Sequence, residues 1–162
     1  MGIRVCVKTS LLKNTDFCLI VKQFVVLQKV VFNFVNSPKT IFNSMKLKEI
    51  TDYLESIAPL AYQESYDNAG LICGNSNMHI TGAVICLDST EAVIDEAIAL
   101  GCNLVIAHHP IVFSGLKKFN GKNYVERVII KAIKNDIAIY AAHTNLDSVS
   151  DGVNAKIAEK LG

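Results

Sequence analysis

Two kinds of apolar pattern alternate along residues 45–162. In one, apolar residues recur at helical spacing: Leu47, Ile50, Leu54 and Ile57 share a face, with Ser44 placed to cap the run and Pro59 to stop it. In the other they form short unbroken runs, "ITGAVICLD" (80–88), "NLVIAHH" (103–109) and "IAIYAAHTNLD" (137–147), which read as strands leading into loops. Helical patterns separate these runs. "STEAVIDEAIALG" (89–101) has Ser89 or Thr90 as a cap, acids in its first turns and Gly101 just past its end. "NYVERVIIKAIKND" (123–136) turns Val125, Val128, Ile129, Ala132 and Ile133 inward, and "GVNAKIAEKLG" (152–162) opens a further helix. A polar, glycine-punctuated stretch, "AYQESYDNAGLICGN" (61–75), reads as loop plus a short strand. Strands that lack alternation are buried on both faces. The β-α-β-α-β-α order therefore predicts an α/β fold, a mostly parallel sheet with flanking helices.

Composition divides the chain at Met45. Residues 1–44 carry six Lys/Arg against one acid, net +5, and contain no Ala, Glu, Tyr or His; residues 45–162 carry ten against fourteen, net −4. The front segment is set apart from the domain expected over 45–162. It fits a basic, acid-poor targeting sequence, or a translation start assigned too far upstream. The second is favoured, because "SMKLKEITDYLESI" runs straight from Met45 into a helix. A membrane anchor is disfavoured, since Lys22, Gln23, Gln28 and Lys29 interrupt "FCLIVKQFVVLQKVVFNFV". With a net charge of +1 for the whole chain, no global field draws it to nucleic acid or membrane. The acidic domain also lacks a basic patch interleaved with aromatics. The five cysteines form no CxxC pair, and Cys86 and Cys102 lie in or beside apolar runs, as buried thiols do in a reducing compartment. The expected location is the cytoplasm, or the mitochondrion if 1–44 is a real transit peptide.

In sheets of this kind ligands bind at the carboxyl ends of the strands. Here those ends carry Asp88, then His108 and His109, then His143 followed by Asp147. Imidazoles and carboxylates gathered on one rim suit zinc, iron or manganese and a metal-assisted hydrolysis. Successive side chains on a strand point to opposite faces. His108 and His109 would thus share one ion only if the backbone turned sharply, but could serve two ions about 3.5–4 Å apart with Asp147 bridging. The alternative is structural: His143 as a hydrogen-bonded histidine, Asp147 or Asp151 as a helix cap. "GLKKFNGK" (115–122) has five residues between its glycines and Asn123 after its last lysine, so it is not a Walker loop. Lys117 and Lys118 would form either a flexible basic loop that attracts a polyphosphate or a solvated surface. Cys102 opens its strand at the opposite edge and is a poor ligand candidate.

Four separated motifs, "YDNAGLICG" (66–74), "LDST" (87–90), "AHHPIVF" (107–113) and "YAAHTNLDSVSDGVNAKIAEKLG" (140–162), resemble in order and spacing the Nif-three-like family, also called GTP cyclohydrolase I type 2. Tyr66 departs from it, standing where the family usually has Trp. The resemblance implies a dinuclear site of two divalent ions, in subunits assembled as a toroidal homohexamer. His108, His109 and Asp147 match its metal ligands, and His143 lines the site as a catalytic residue whose status as a ligand is open. Asp67 and Asn68 would shape the surroundings and contact substrate, or serve the loop alone. The family completes its site with a His-x-x-x-Glu pair further downstream. The sequence given stops at Gly162, before that pair, and so reads as a fragment or a truncated gene product.

The activity implied is hydrolysis of GTP to dihydroneopterin triphosphate and formate. Hydroxide would attack C8 of the guanine ring, His143 would shuttle a proton, and Lys117 and Lys118 would hold the triphosphate. Two readings stand beside it: a non-catalytic metal-binding or regulatory protein of the same family, and another two-metal hydrolase such as a phosphoesterase.

Overall fold

The computed structural model describes residues 4–7 and 45–161. The strands are β1 (Arg4–Val7), β2 (Gly70–Cys73), β3 (Gly82–Cys86), β4 (Leu104–Ala107) and β5 (Ala138–Ala141). The helices are α1 (Leu47–Ile57), α2 (Glu91–Leu100), α3 (Tyr124–Lys134), α4 (Thr144–Asp147) and α5 (Val153–Leu161), with a 3-10 turn at Leu60–Tyr62. They build a sheet of order β1-β3-β4-β5-β2. Strands β1, β3, β4 and β5 run parallel, and β2 lies antiparallel on the far edge of β5.

The unbroken apolar runs lie at the centre. Every residue of β3, β4 and β5 is buried, and their side chains alternate between two cores. Val84, Cys86, Val105, Ala107 and Ile139 face the layer of α2 and α3 through Val93, Ile94, Ala97, Val128, Ile129 and Ala132. Ala83, Ile85, Leu104, Ile106, Ala138 and Tyr140 face the other layer, with Leu47, Ile50 and Leu54 of α1, Leu146 of α4 and Val153 of α5. The two parallel crossovers put α2 and α3 on the same face, as right-handed connections require. Helices thus cover both faces, and no helix among the described residues is long and apolar enough to cross a membrane.

Local signals set the boundaries. The Thr90 side chain caps α2 by accepting from the Val93 N–H, and Gly101 ends it in the left-handed conformation at φ +67°. α1 begins at Lys46, whose N–H donates to the Glu49 carboxylate at 2.7 Å. Ser44, expected as its cap, lies outside the described residues, as do the other expectations for 1–44 apart from Arg4–Val7. There the backbone registers Arg4 with Gly82 and Val7 with Ile85, an edge strand in a segment to which the sequence pattern assigned no element. One inward position is also corrected: Ile133 is 57 % exposed. At about 100° per residue it falls at the margin of the stripe centred on Val128 and Ala132. Glu126 shares that margin but is covered by the loop before α3, and is buried.

Gly74 stands at φ +123°, and a Cβ there would meet Ala138 Cβ at 2.6 Å and Ala138 Cα at 3.0 Å. Gly74→Ala should therefore lower the urea midpoint at unchanged m-value, by about 1–3 kcal/mol of stability.

Candidate metal centre

The parallel ladder carries the chain past the strand ends before it turns. His108 N–H donates to the Cys86 carbonyl at 3.2 Å, His109 N–H to Leu87 at 2.9 Å, and Ala142 N–H to Ala107 at 2.9 Å. Because β4 has already ended at Ala107, the strand alternation no longer binds the next two residues. Their rings converge, with centroids 5.0 Å apart. His143, just beyond β5, closes the triangle at 5.2 Å from His108 and 5.5 Å from His109. One ring nitrogen from each of the three lies within 4.8 Å of the others. The divergence expected of adjacent histidines is therefore not what the fold produces.

Two of the three imidazoles are oriented by carboxylates. His109 Nδ1 pairs with Asp88 Oδ1 at 2.8 Å, and His143 Nδ1 with Asp67 Oδ1 at 2.9 Å. Each pairing leaves Nε2 for the site, the arrangement by which a second residue fixes the tautomer and direction of a ligating histidine. Asp67 does more than hold a ring. Its carboxylate, out of contact with solvent, accepts from the N–H of Asn68 at 2.7 Å, the N–H of Thr144 at 3.0 Å and the Thr144 hydroxyl. Burial pushes its pKa up, but the hydrogen bonds from Thr144, His143 and Asn68 outweigh it and hold the carboxyl below its ordinary range. Asp88 is likewise held low, chiefly by its hydrogen bond to His109.

His108 has no such support. It is 1 % exposed, and neither ring nitrogen has a hydrogen-bond partner. Burial, then repulsion from His109 and His143, pushes its pKa down to about 4, so it is neutral at pH 7. Asp147 Oδ1 is also buried without a partner. Burial raises the Asp147 pKa, and His143 and His109 pull against that rise. Buried orphan donors and acceptors are rare and cost about 1–3 kcal/mol each. Three imidazoles gathered in this way, one neutral and two oriented by carboxylates, fit a divalent cation of the zinc, iron or manganese class, while Asp147, expected as a ligand, is not one of the residues whose donor atoms cluster.

The remaining candidates fall elsewhere. Asn68 Nδ2 donates to the Val112 carbonyl at 2.7 Å, tying the loop before β2 to the loop after the histidines. Lys117 and Lys118 are exposed and do not line the pocket beside the histidines. The second half of their loop is folded back on α3, where Glu126 accepts from the N–H of Asn120 at 3.1 Å and of Lys122 at 3.0 Å. Thr144 was not singled out from sequence; only its place after His143 could have drawn attention to it. Asp88 was placed on the rim, but its role as the orienter of His109 needed coordinates.

A model of the Duf34/NIF3 (NGG1p interacting factor 3) family matches residues 45–162. A protein named GTP cyclohydrolase 1 type 2 homolog from Clostridium acetobutylicum is 42 % identical over 119 residues, covering 74 % of this chain and 44 % of its own. The Bacillus subtilis protein of that name is 43 % identical over 118 residues, 73 % of this chain and 32 % of its own. Among solved structures, a Bacillus cereus protein related to NIF3 superposes with a TM-score of 0.66 at 45 % identity, covering 73 % of this chain and 32 % of that one. Reduced HcgD from Methanocaldococcus jannaschii gives 0.67 at 35 % identity, over 72 % and 47 %. The chain thus spans less than half the length of these relatives.

Two outcomes follow from the geometry. Asp88→Asn, at a half-exposed side chain, should weaken metal retention by about 10–100-fold with the fold intact, as read by titration against a competing chelator, whereas Asp67→Asn, which sets an amide N–H against the Thr144 and Asn68 donors, should lower stability as well. In metal-free protein, His108 takes up a proton near pH 6.5 when unfolded but only at about 4 when folded. Stability is therefore unaffected above pH 6.5 and falls as pH drops from 6.5 to 4, by about 3 kcal/mol. Urea unfolding in chelator should show that slope, and His108→Gln should remove it.

Proposed function

The chain belongs to the Duf34/NIF3 (NGG1p interacting factor 3) family, and from that membership we propose that it carries the histidine half of a divalent-metal-dependent hydrolase acting on GTP. The observation that carries the reading is the convergence of three histidine donors within 4.8 Å of one another. The name these relatives carry, GTP cyclohydrolase 1 type 2 homolog, supports the choice of reaction. Overall, GTP and water give formate and dihydroneopterin triphosphate.

His108, His109 and His143 would hold a metal ion, and Asp147 would complete the ligand set of a dinuclear site. A divalent ion there supplies Lewis-acid activation of water near neutral pH. Asp88 and Asp67 keep the Nε2 atoms of His109 and His143 aimed inward. His108, neutral because it is buried, offers its lone pair without first losing a proton. His143, at the pocket wall, is the residue placed to take a proton on Nε2 when it is not engaged as a ligand. The tightness of the triangle favours the ligand role.

Full-length protein loaded with metal and incubated with GTP should release formate, and His108→Ala should reduce that release roughly 100-fold or more together with bound metal. GTP consumed without formate would sink the cyclohydrolase reading while leaving the metal site. Metal content unchanged by His108→Ala would sink the site itself.

A further inference from the structure

A pocket of about 520 Å³ opens beside His109 and His143, and Asp88, Ser89 and Thr90 belong to its wall. These three residues lead the chain into α2. Thr90 caps the helix by accepting from the Val93 N–H, but the N–H groups of Glu91 and Ala92 come before any acceptor within the helix. They form the positive end of a ten-residue helix. Ser89 adds a second, independent signal. It is 1 % exposed and lies in the pocket wall, yet its hydroxyl has no hydrogen-bond partner. A buried hydroxyl left this way costs stability unless something outside the fold satisfies it.

The charges nearby are already engaged. Arg127 Nε donates to Glu91 Oε1 at 3.1 Å, and Asp88 Oδ1 pairs with His109 Nδ1 at 2.8 Å. Among the described residues no lysine or arginine lines the pocket. The cation facing this wall would be the one held by the histidines.

We propose that the start of α2 is an oxyanion site. A phosphoryl or carboxylate group accepts there from the Ser89 hydroxyl and the first-turn N–H groups, with its charge toward the metal. The pocket is larger than one such group, so the oxyanion is one end of a ligand whose uncharged remainder lies along Pro110, Ile111 and Phe113. The inference goes beyond the hydrolytic reading and does not need GTP. It makes the two ligands interdependent: without the metal, the anion would meet Asp88 with only His109 to offset it. Anion and metal therefore tighten each other by the same factor.

Calorimetric titration of the zinc-loaded chain, freed of excess zinc, with inorganic phosphate and with acetate tests this. At least one should bind, and the tighter of the two tells whether the site is built for a phosphoryl or a carboxylate group. Ser89→Ala should weaken that binding by about tenfold or more, and so should stripping the zinc. Without ligand, Ser89→Ala should leave the urea midpoint unchanged or raise it, because it deletes a hydroxyl that bonds nothing. The proposal is overturned if neither anion binds, or if binding is indifferent to Ser89→Ala, since the metal alone then holds the anion. A Ser89→Ala variant that unfolds at lower urea also overturns it, because the hydroxyl is then bonded within the protein. Binding that depends on Ser89, without formate from GTP, keeps this site and removes the reaction. Formate from GTP with neither anion bound removes this site and keeps the reaction.

Discussion

Strands buried on both faces exclude charged side chains along their length, and that single exclusion arranges the rest of this molecule. β3, β4 and β5 are parallel and carry no carboxylate, ammonium, guanidinium or imidazole, so the first such residues after each one emerge at the same edge. Asp88, the two adjacent histidines and His143 are neighbours because burial forbids them any earlier position. The helices covering the two faces supply the apolar area that makes the exclusion strict. The backbone ladder, continued by the N–H groups of His108 and His109, then fixes how far beyond the strands the chain travels before it turns.

Within the cluster the three imidazoles are not equivalent. His109 and His143 each lean on a carboxylate, and the deepest, His108, leans on none. A site designed only for stability would satisfy that ring or replace it with an apolar residue. Leaving it neutral and unpartnered keeps a lone pair available at the cost of native-state stability, the usual direction of compromise where chemistry is to be done. The carboxylates play the opposite part. Asp67 in particular is so fully used by its own neighbours that it is a fixture of the scaffold.

What the sequence disclosed was the part written locally. Thr90 and Gly101 bound their helix because capping acts over three or four residues. The unbroken runs around Val84, Val105 and Ile139 reveal double burial without reference to anything else. His108 and His109 were found for the same reason, but their convergence was not, since the alternation rule applies only while a strand lasts and β4 ends one residue earlier. The pairing of Asp67 with His143 joins residues 76 apart, and no periodicity encodes that. Ile133 shows a subtler limit. Its spacing marks it as inward, and only the position of the loop held by Glu126 decides which residue at that margin is covered. Lys117 and Lys118 were read from their charge, whereas the fold of their loop is set by a buried acid several residues later.

Asp67 lies just before β2, the strand that joins the sheet antiparallel and from a distance in sequence. The units from β3 to β5 join sequence neighbours, but bringing Asp67 onto His143 closes a far longer loop, at a larger cost in closure entropy. A chain that has formed its central sheet without docking this edge owns all three histidines, yet one of them has no fixed direction. A divalent ion held by the three histidines would therefore bind best to the molecule in which this edge is docked, and by mass action would hold that edge in place.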